Sequence, residues 1–202
     1  MHPIARLNPD VRRAIFAPSV ILTIVVIVVM SYFTQGLKTA CTPHGILDYE
    51  FAGSGEQASA IHQAWGESGK RQAAFQLGID FLFIAAYVTA ISIGCLRAPW
   101  PRLAMRGAWL VLIAGALDCL ENVMLIGEVY DTADQVPALI ARYAAIVKFA
   151  LATAAVAIWG CAEWSRRNRP FAIIVLLIGA FFSGTAAQAL RFDPAACVGA
   201  AR

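Results

Sequence analysis

A chain of 202 residues that is 59% hydrophobic and only 14% charged has too little polar surface to coat a water-soluble globule, so its solvent must be lipid. The net charge of +3 is small and forms no basic stripe able to track a phosphate backbone, which excludes nucleic acid as a partner. The bilayer is the partner that composition itself names.

Five apolar runs are long enough to cross about 30 Å of hydrocarbon at about 1.5 Å per residue. They predict an all-α membrane protein: a five-transmembrane-helix bundle forming one membrane domain over 1–202, with spans at about 15–33, 77–96, 107–126, 138–160 and 171–190. Arg12 and Arg13 precede the first run, Arg97, Pro99 and Pro101 follow the second, Pro137 opens the fourth, and Arg166, Arg167, Arg169 and Pro170 separate the last two.

The first run has basic residues ahead of it, as a cleaved leader would. Its apolar stretch from Ala14 to Met30 exceeds a leader's usual length, and Lys38 stands where a small residue belongs before Cys41, so it reads as a retained anchor. Orientation follows from the basic residues of the short loops. Arg6, Arg12, Arg13, Arg97, Arg102, Arg106, Arg166, Arg167 and Arg169 collect on one side, and Asp48, Glu50, Glu56, Glu67, Glu128, Asp131, Asp134 and Asp193 on the other. The N-terminus is therefore expected in the cytoplasm and the C-terminus outside.

The segment 34–76 is the one sizeable extramembrane piece and is expected to fold as a small helical cap on the outer side. Ser54 can cap a helix in which Ala58, Ile61, Ala64 and Trp65 share a face, Gly66 breaks it, and a second stretch from about Ser68 leads into the second span. Trp65 is expected to anchor the cap on the lipid surface or on a neighbouring helix. The letters Gly53-Ser54-Gly55-Glu56-Gln57-Ala58 mimic a dinucleotide-binding turn, but no hydrophobic strand precedes them, and a helix cap beside glycines accounts for them.

Cys41 and Cys197 both fall just beyond the outer ends of spans, the first and the fifth, and are expected to form a disulfide in the oxidising compartment. No CxxC occurs, so thiol–disulfide exchange chemistry lacks its motif. The only histidines, His2, His44 and His62, lie outside the spans, so neither a bis-histidine haem nor a histidine-rich di-iron centre can be assembled, and no cofactor or metal is expected. A loose exterior set of His44, Asp48 and Glu50 reads as a solvated polar loop.

Ionisable residues inside the spans are the chemistry-bearing feature, because charge at membrane depth is costly and persists only when paired, hydrated or used. Asp80, Asp118, Glu121, Arg142 and Lys148 are of this kind, and Asn122 adds an amide. Asp118 lies about eleven residues above the start of the third span and Lys148 about ten below the start of the antiparallel fourth, so both sit near mid-bilayer and can meet. Glu121 and Arg142 share a level about 6–9 Å below the outer surface, which Asp80 also reaches. Asp118 and Glu121, three apart, share a helical face. Three acids against two bases leave one surplus carboxylate to be protonated, hydrated or matched by a cation. Asp80, Asp118, Glu121, Asn122, Arg142 and Lys148 are accordingly the candidates for binding a proton, small cation or polar ligand; none is assigned as catalytic.

Ala86, Ala90 and Gly94 on the second span, and Gly179 with Ser183 on the fifth, form small-residue stripes suited to close helix approach. The runs Glu50-Phe51-Ala52-Gly53, Trp65-Gly66, Asp80-Phe81-Leu82-Phe83, Asp118-Cys119-Leu120-Glu121-Asn122 and Lys148-Phe149 together resemble a family of bacterial multi-spanning integral membrane proteins. That resemblance implies a bacterial cytoplasmic (inner) membrane and carries no activity.

Three function classes stay open: a binding or transport-like module taking a proton, cation or small polar ligand from the outer side; a structural or accessory subunit of a homo- or hetero-oligomer whose buried ion pairs fix assembly; and a lipid-modifying enzyme using Glu121, Asp118 and Lys148 as acid–base groups. The enzyme reading lacks an activated nucleophile, a metal triad or a phosphate-binding motif.

Overall fold

Each apolar run folds as a helix that overshoots it, because a helix satisfies its own backbone hydrogen bonds and so can lie in lipid. The computed structural model describes residues 2–130 and 135–191. In that range five long helices carry the chain: α1 (Pro9–Thr34), α3 (Gly55–Leu96), α4 (Pro101–Tyr130), α5 (Gln135–Ser165) and α6 (Arg169–Arg191), with the single-turn α2 (Ile46–Glu50) between α1 and α3. All five are long and apolar enough to cross a membrane. Pro137, expected to open the fourth span, is instead the third residue of α5, where its missing N–H costs nothing.

Helices α3, α4 and α5 pack mutually as the core, with α1 against α3 and α6 against α5. The small-residue stripes sit at these seams. Ala86, Ala90 and Gly94 are buried, and the Trp159 ring of α5 lies over Gly94 so closely that any side chain there would collide with it. Gly179 receives Val156, and Ser183 Oγ lies 2.7 Å from Thr153 Oγ1, joining α6 to α5.

Helix α3 runs 42 residues but is broken at Gly66, and the stretch after the break, 67–96, is about 45 Å at helical rise, longer than a bilayer's hydrocarbon of about 30 Å. Its first part, before Gly66, packs with α2 and the turn after α1 as the cap, and the apolar part expected to span, 77–96, packs in the bundle. The predicted break is present: Gly66 has φ 60° and ψ −172°, a conformation nearly exclusive to glycine. Ser54 Oγ accepts from Gln57 N at 3.2 Å, while Gln57 Oε1 accepts from Gly53 N at 2.7 Å, so the glycine-rich letters are a helix cap.

Ala58, Ile61 and Trp65 do form the buried face of the cap helix, but Ala64 is exposed: it falls off the stripe that faces α2. Trp65 is not at the lipid surface. It is buried, with Nε1 donating to Leu37 O at 2.8 Å and to Thr42 Oγ1 at 3.1 Å, because the turn after α1 offers a carbonyl and a hydroxyl that need a donor. Gln72 Nε2 donates to Phe33 O, and Gln76 Nε2 to Thr34 Oγ1 at 2.7 Å, tying the end of α1 to α3. Cys197 lies outside the described residues, as does any pairing with it; among the described cysteines Cys41, Cys95, Cys119 and Cys161 form no disulfide with one another.

Candidate functional site

Lys148 of α5 is buried, as are Ala144 and Ala145 beside it, and its ammonium lies in the α3–α4–α5 core. There Nζ lies 2.6 Å from Asp118 Oδ1, 2.8 Å from Glu121 Oε2 and 3.3 Å from Glu50 Oε2. The meeting of Asp118 with Lys148 follows from their common depth, and the spacing of three puts Glu121 on the same face of α4. Asp118 Oδ2 also accepts from Tyr87 Oη of α3 at 3.0 Å, so this carboxylate is satisfied on both oxygens.

Asp80 faces the same core from α3 and accepts from Asn122 Nδ2 at 2.6 Å. Its charge stands within electrostatic range of Asp118 and Lys148. Every member is buried: Glu121 has no exposed surface, and Asn122, Asp118, Lys148, Asp80 and Glu50 show 8% or less.

Arg142, one of the candidates, is not brought into the cluster. It lies six residues before Lys148 and so points about 120° away around α5; its guanidinium packs on the Gly53 backbone in the cap, and among the described residues it makes no ion pair. Glu50 was grouped with the solvated acids of the outer loop and is instead a direct partner of Lys148. Helix α2 folds down over the bundle mouth, burying Tyr49 completely and carrying the next side chain into the core. One ammonium thus meets three carboxylates with a fourth beside them, and the surplus of negative charge exceeds the single unit that counting the spans gives.

Glu121 is the least satisfied member. Its Oε2 makes the ion pair with Lys148 off the direction a hydrogen bond requires, and Oε1 has no partner among the described residues. A fully buried carboxyl group with an idle oxygen is costly as an anion and far less so as a neutral acid.

The chain matches no family model, no curated protein and no solved structure.

Near the cluster, two polar contacts anchor the cap. Tyr49 Oη donates to Leu125 O at 3.0 Å and to Glu128 Oε2 at 3.2 Å, and burial, then the Glu128 charge, push the Tyr49 phenol above its usual range. His44 Nδ1 lies 2.8 Å from Asp48 Oδ1, and Asp48, raised by burial against the pull of His44, is committed to that ring and to the His44 backbone N–H at 2.6 Å. Glu50 faces the other way, so His44, Asp48 and Glu50 do not converge. Among the described residues no three His, Cys, Asp or Glu side chains are grouped to hold a metal.

At the opposite, arginine-rich end, Arg97 Nε lies 3.3 Å from the fully buried Glu163 Oε1, whose second oxygen accepts from Asn168 Nδ2 at 3.3 Å. This pair ties α3 to the α5–α6 turn. Glu163 gave no signal in the sequence because it looks like one more polar residue at a helix end.

Proposed function

We propose that this is a multi-pass protein of a bacterial cytoplasmic membrane, N-terminus inside, that takes up a proton at its carboxylate–lysine cluster from the capped, outward side. The observation that carries the reading is the ratio at Lys148: three carboxylates within 3.3 Å of one buried ammonium, with Glu121 Oε1 left idle. Lipid offers no screening, so an unbalanced negative cluster at this depth must be neutralised. Asp118, bonded to both Lys148 and Tyr87, suits the role of fixed counterion, and Glu121 that of proton carrier. A small cation would satisfy the same charge balance. Orientation rests on the arginine asymmetry of the loops.

Infrared spectroscopy of the protein in lipid vesicles tests this, since a neutral carboxyl group absorbs apart from carboxylates. A buried carboxyl band that titrates with external pH and disappears in Glu121→Gln supports the reading; a band absent from the wild type, or unchanged in a folded Glu121→Gln, ends it. Proton flux into vesicles loaded with a pH-sensitive dye then separates uptake from transport.

A second reading is favoured by a different observation: Lys148 joins α2, α4 and α5 at one atom, as an assembly clamp would. On that reading Glu121→Gln lowers stability without altering any titration. The lipid-enzyme reading would need Glu121 exposed in a lateral opening, and Glu121 is wholly buried.

A further inference from the structure

We infer that the lipid-facing groove of α4 at the arginine-rich end is a binding site for one phospholipid of net negative headgroup charge. The groove has a volume of about 640 Å³ and is lined by Arg102, Met105, Arg106, Trp109, Leu110 and Ile113. Arg102, Arg106, Trp109 and Ile113 recur at intervals of three and four, so they form one stripe along the helix. From Arg102 to Ile113 is about 16 Å of helix, close to one leaflet's share of a hydrocarbon layer of about 30 Å. The stripe runs from cationic at the mouth, through an indole at interfacial depth, to purely apolar below, which is the polarity order of a single lipid molecule.

Two further observations separate this stripe from the general basic character of that end. Arg97 pairs with Glu163 and lies over Phe16, and Arg169 lies over Trp164, whereas Arg166 and Arg167 are as exposed as Arg102 and Arg106 but do not line the groove. Arg102 and Arg106 are exposed, and among the described residues they make no ion pair, side-chain hydrogen bond or ring contact. Two guanidiniums one helical turn apart on an exposed face can reach one phosphate group together. No acid lines the groove to receive an amine, so a zwitterionic headgroup gains less than an anionic one.

The wall is also held in place before any ligand arrives. The N-terminal turn folds back so that His2 is completely buried with its ring edge-on to Trp109, centroids 5.2 Å apart, while Trp109 and Ile113 stay 39% and 47% exposed. A fixed indole flanking two free cations is preorganised for a ligand.

Native mass spectrometry of the full chain, released from nanodiscs containing equal amounts of phosphatidylglycerol and phosphatidylethanolamine, tests the site. The wild type should retain one phosphatidylglycerol with a preference of about thirtyfold, from two arginines near an anionic headgroup. Arg102→Gln with Arg106→Gln should bring retention down to the input ratio, and Ile113→Trp, which fills the groove below the charges, should do the same with every arginine present. A control pair, Arg166→Gln with Arg167→Gln, should keep the preference. Equal loss in the control, persistence of the preference in Ile113→Trp, or displacement of the retained lipid by inorganic phosphate would each overturn the proposal. Ile113→Trp alone decides it if the double variant does not fold.

Discussion

Glu50 of the cap and Lys148 of α5 are 98 residues apart in sequence and 3.3 Å apart in the folded chain. The contact makes the cap a working part of the buried cluster, since α2 cannot lift without removing one of the three carboxylates around the ammonium. Glu50→Gln leaves Lys148 with Asp118 and Glu121, so the loss should be that of one hydrogen bond, about 1 kcal/mol. That corresponds to a fall of about 2–4 °C in Tm for a chain of this size. The more specific outcome is local: amide exchange over 46–65 should quicken while 77–96 and 138–160 stay protected. Unchanged exchange in the cap would mean that Tyr49 and Trp65 hold it without help from the charge.

Lys148→Met should behave very differently. It strands Asp118, Glu121 and Glu50 with no cation, and breaking a buried pair from one side costs about 3–5 kcal/mol. Little folded protein should be recovered from membranes, measured as the monodisperse fraction after detergent extraction. Adding Asp118→Asn to Lys148→Met removes one of the stranded charges and should restore part of the yield, with a coupling of about 0.5–3 kcal/mol in the double-mutant cycle. Additive losses would show that Asp118 and Lys148 act through separate neighbours.

The pattern of what the sequence reveals here has a physical basis. Helix periodicity and depth are local arithmetic, so the meeting of Asp118 with Lys148 and the common face of Asp118 and Glu121 can be read directly from spacing. The Gly66 break and the Ser54 cap are local too. The spacing of six likewise sets Arg142 about 120° around α5 from Lys148, and only the packing of the helices settles which of the two cations meets the carboxylates. Glu50 was beyond reach for another reason: an acid in a polar loop carries no mark that the loop will fold down into the bundle. Its one signal is position, directly after Tyr49 in a short amphipathic turn, and that gains meaning only once the tyrosine is seen to be buried.

Gly66 supplies a prediction about backbone alone. Its φ of 60° and ψ of −172° exclude a side chain on conformational grounds, yet nothing lies within 4 Å of where a Cβ would go. Gly66→Ala should therefore cost about 1–3 kcal/mol of strain with no steric term. Gly78→Ala is the matched control, because Gly78 is helical and also faces open space; there the change should be neutral or slightly stabilising. Thermal unfolding of the two variants under one detergent condition compares them directly. Equal melting temperatures would mean that the cap helix can straighten through Gly66 at no cost.

His62 makes the cap sensitive to pH. The ring lies in the cap part of α3, ahead of the Gly66 break, against Tyr49 and Trp65 with centroid distances of 5.0 and 6.3 Å. Burial, helped by the Lys70 charge, lowers its pKa from 6.5 to about 4. The folded cap thus binds this proton more weakly than the unfolded chain does, and stability rises with pH wherever the unfolded state holds more protons. The contribution is complete above pH 6.5 and is lost as pH falls toward about 4, when the packed ring must either charge in place or leave. Asp48 works in the opposite sense, because its raised pKa makes protonation easier in the folded cap than in the unfolded chain. The two are separated by His62→Gln, which should flatten the loss of stability between pH 6.5 and 4.5 without affecting any change that originates at Asp48. Melting curves of wild type and variant across that range, followed by tryptophan fluorescence because Trp65 lies beside the ring, provide the measurement. Parallel pH profiles for the two proteins would rule out His62 as the source.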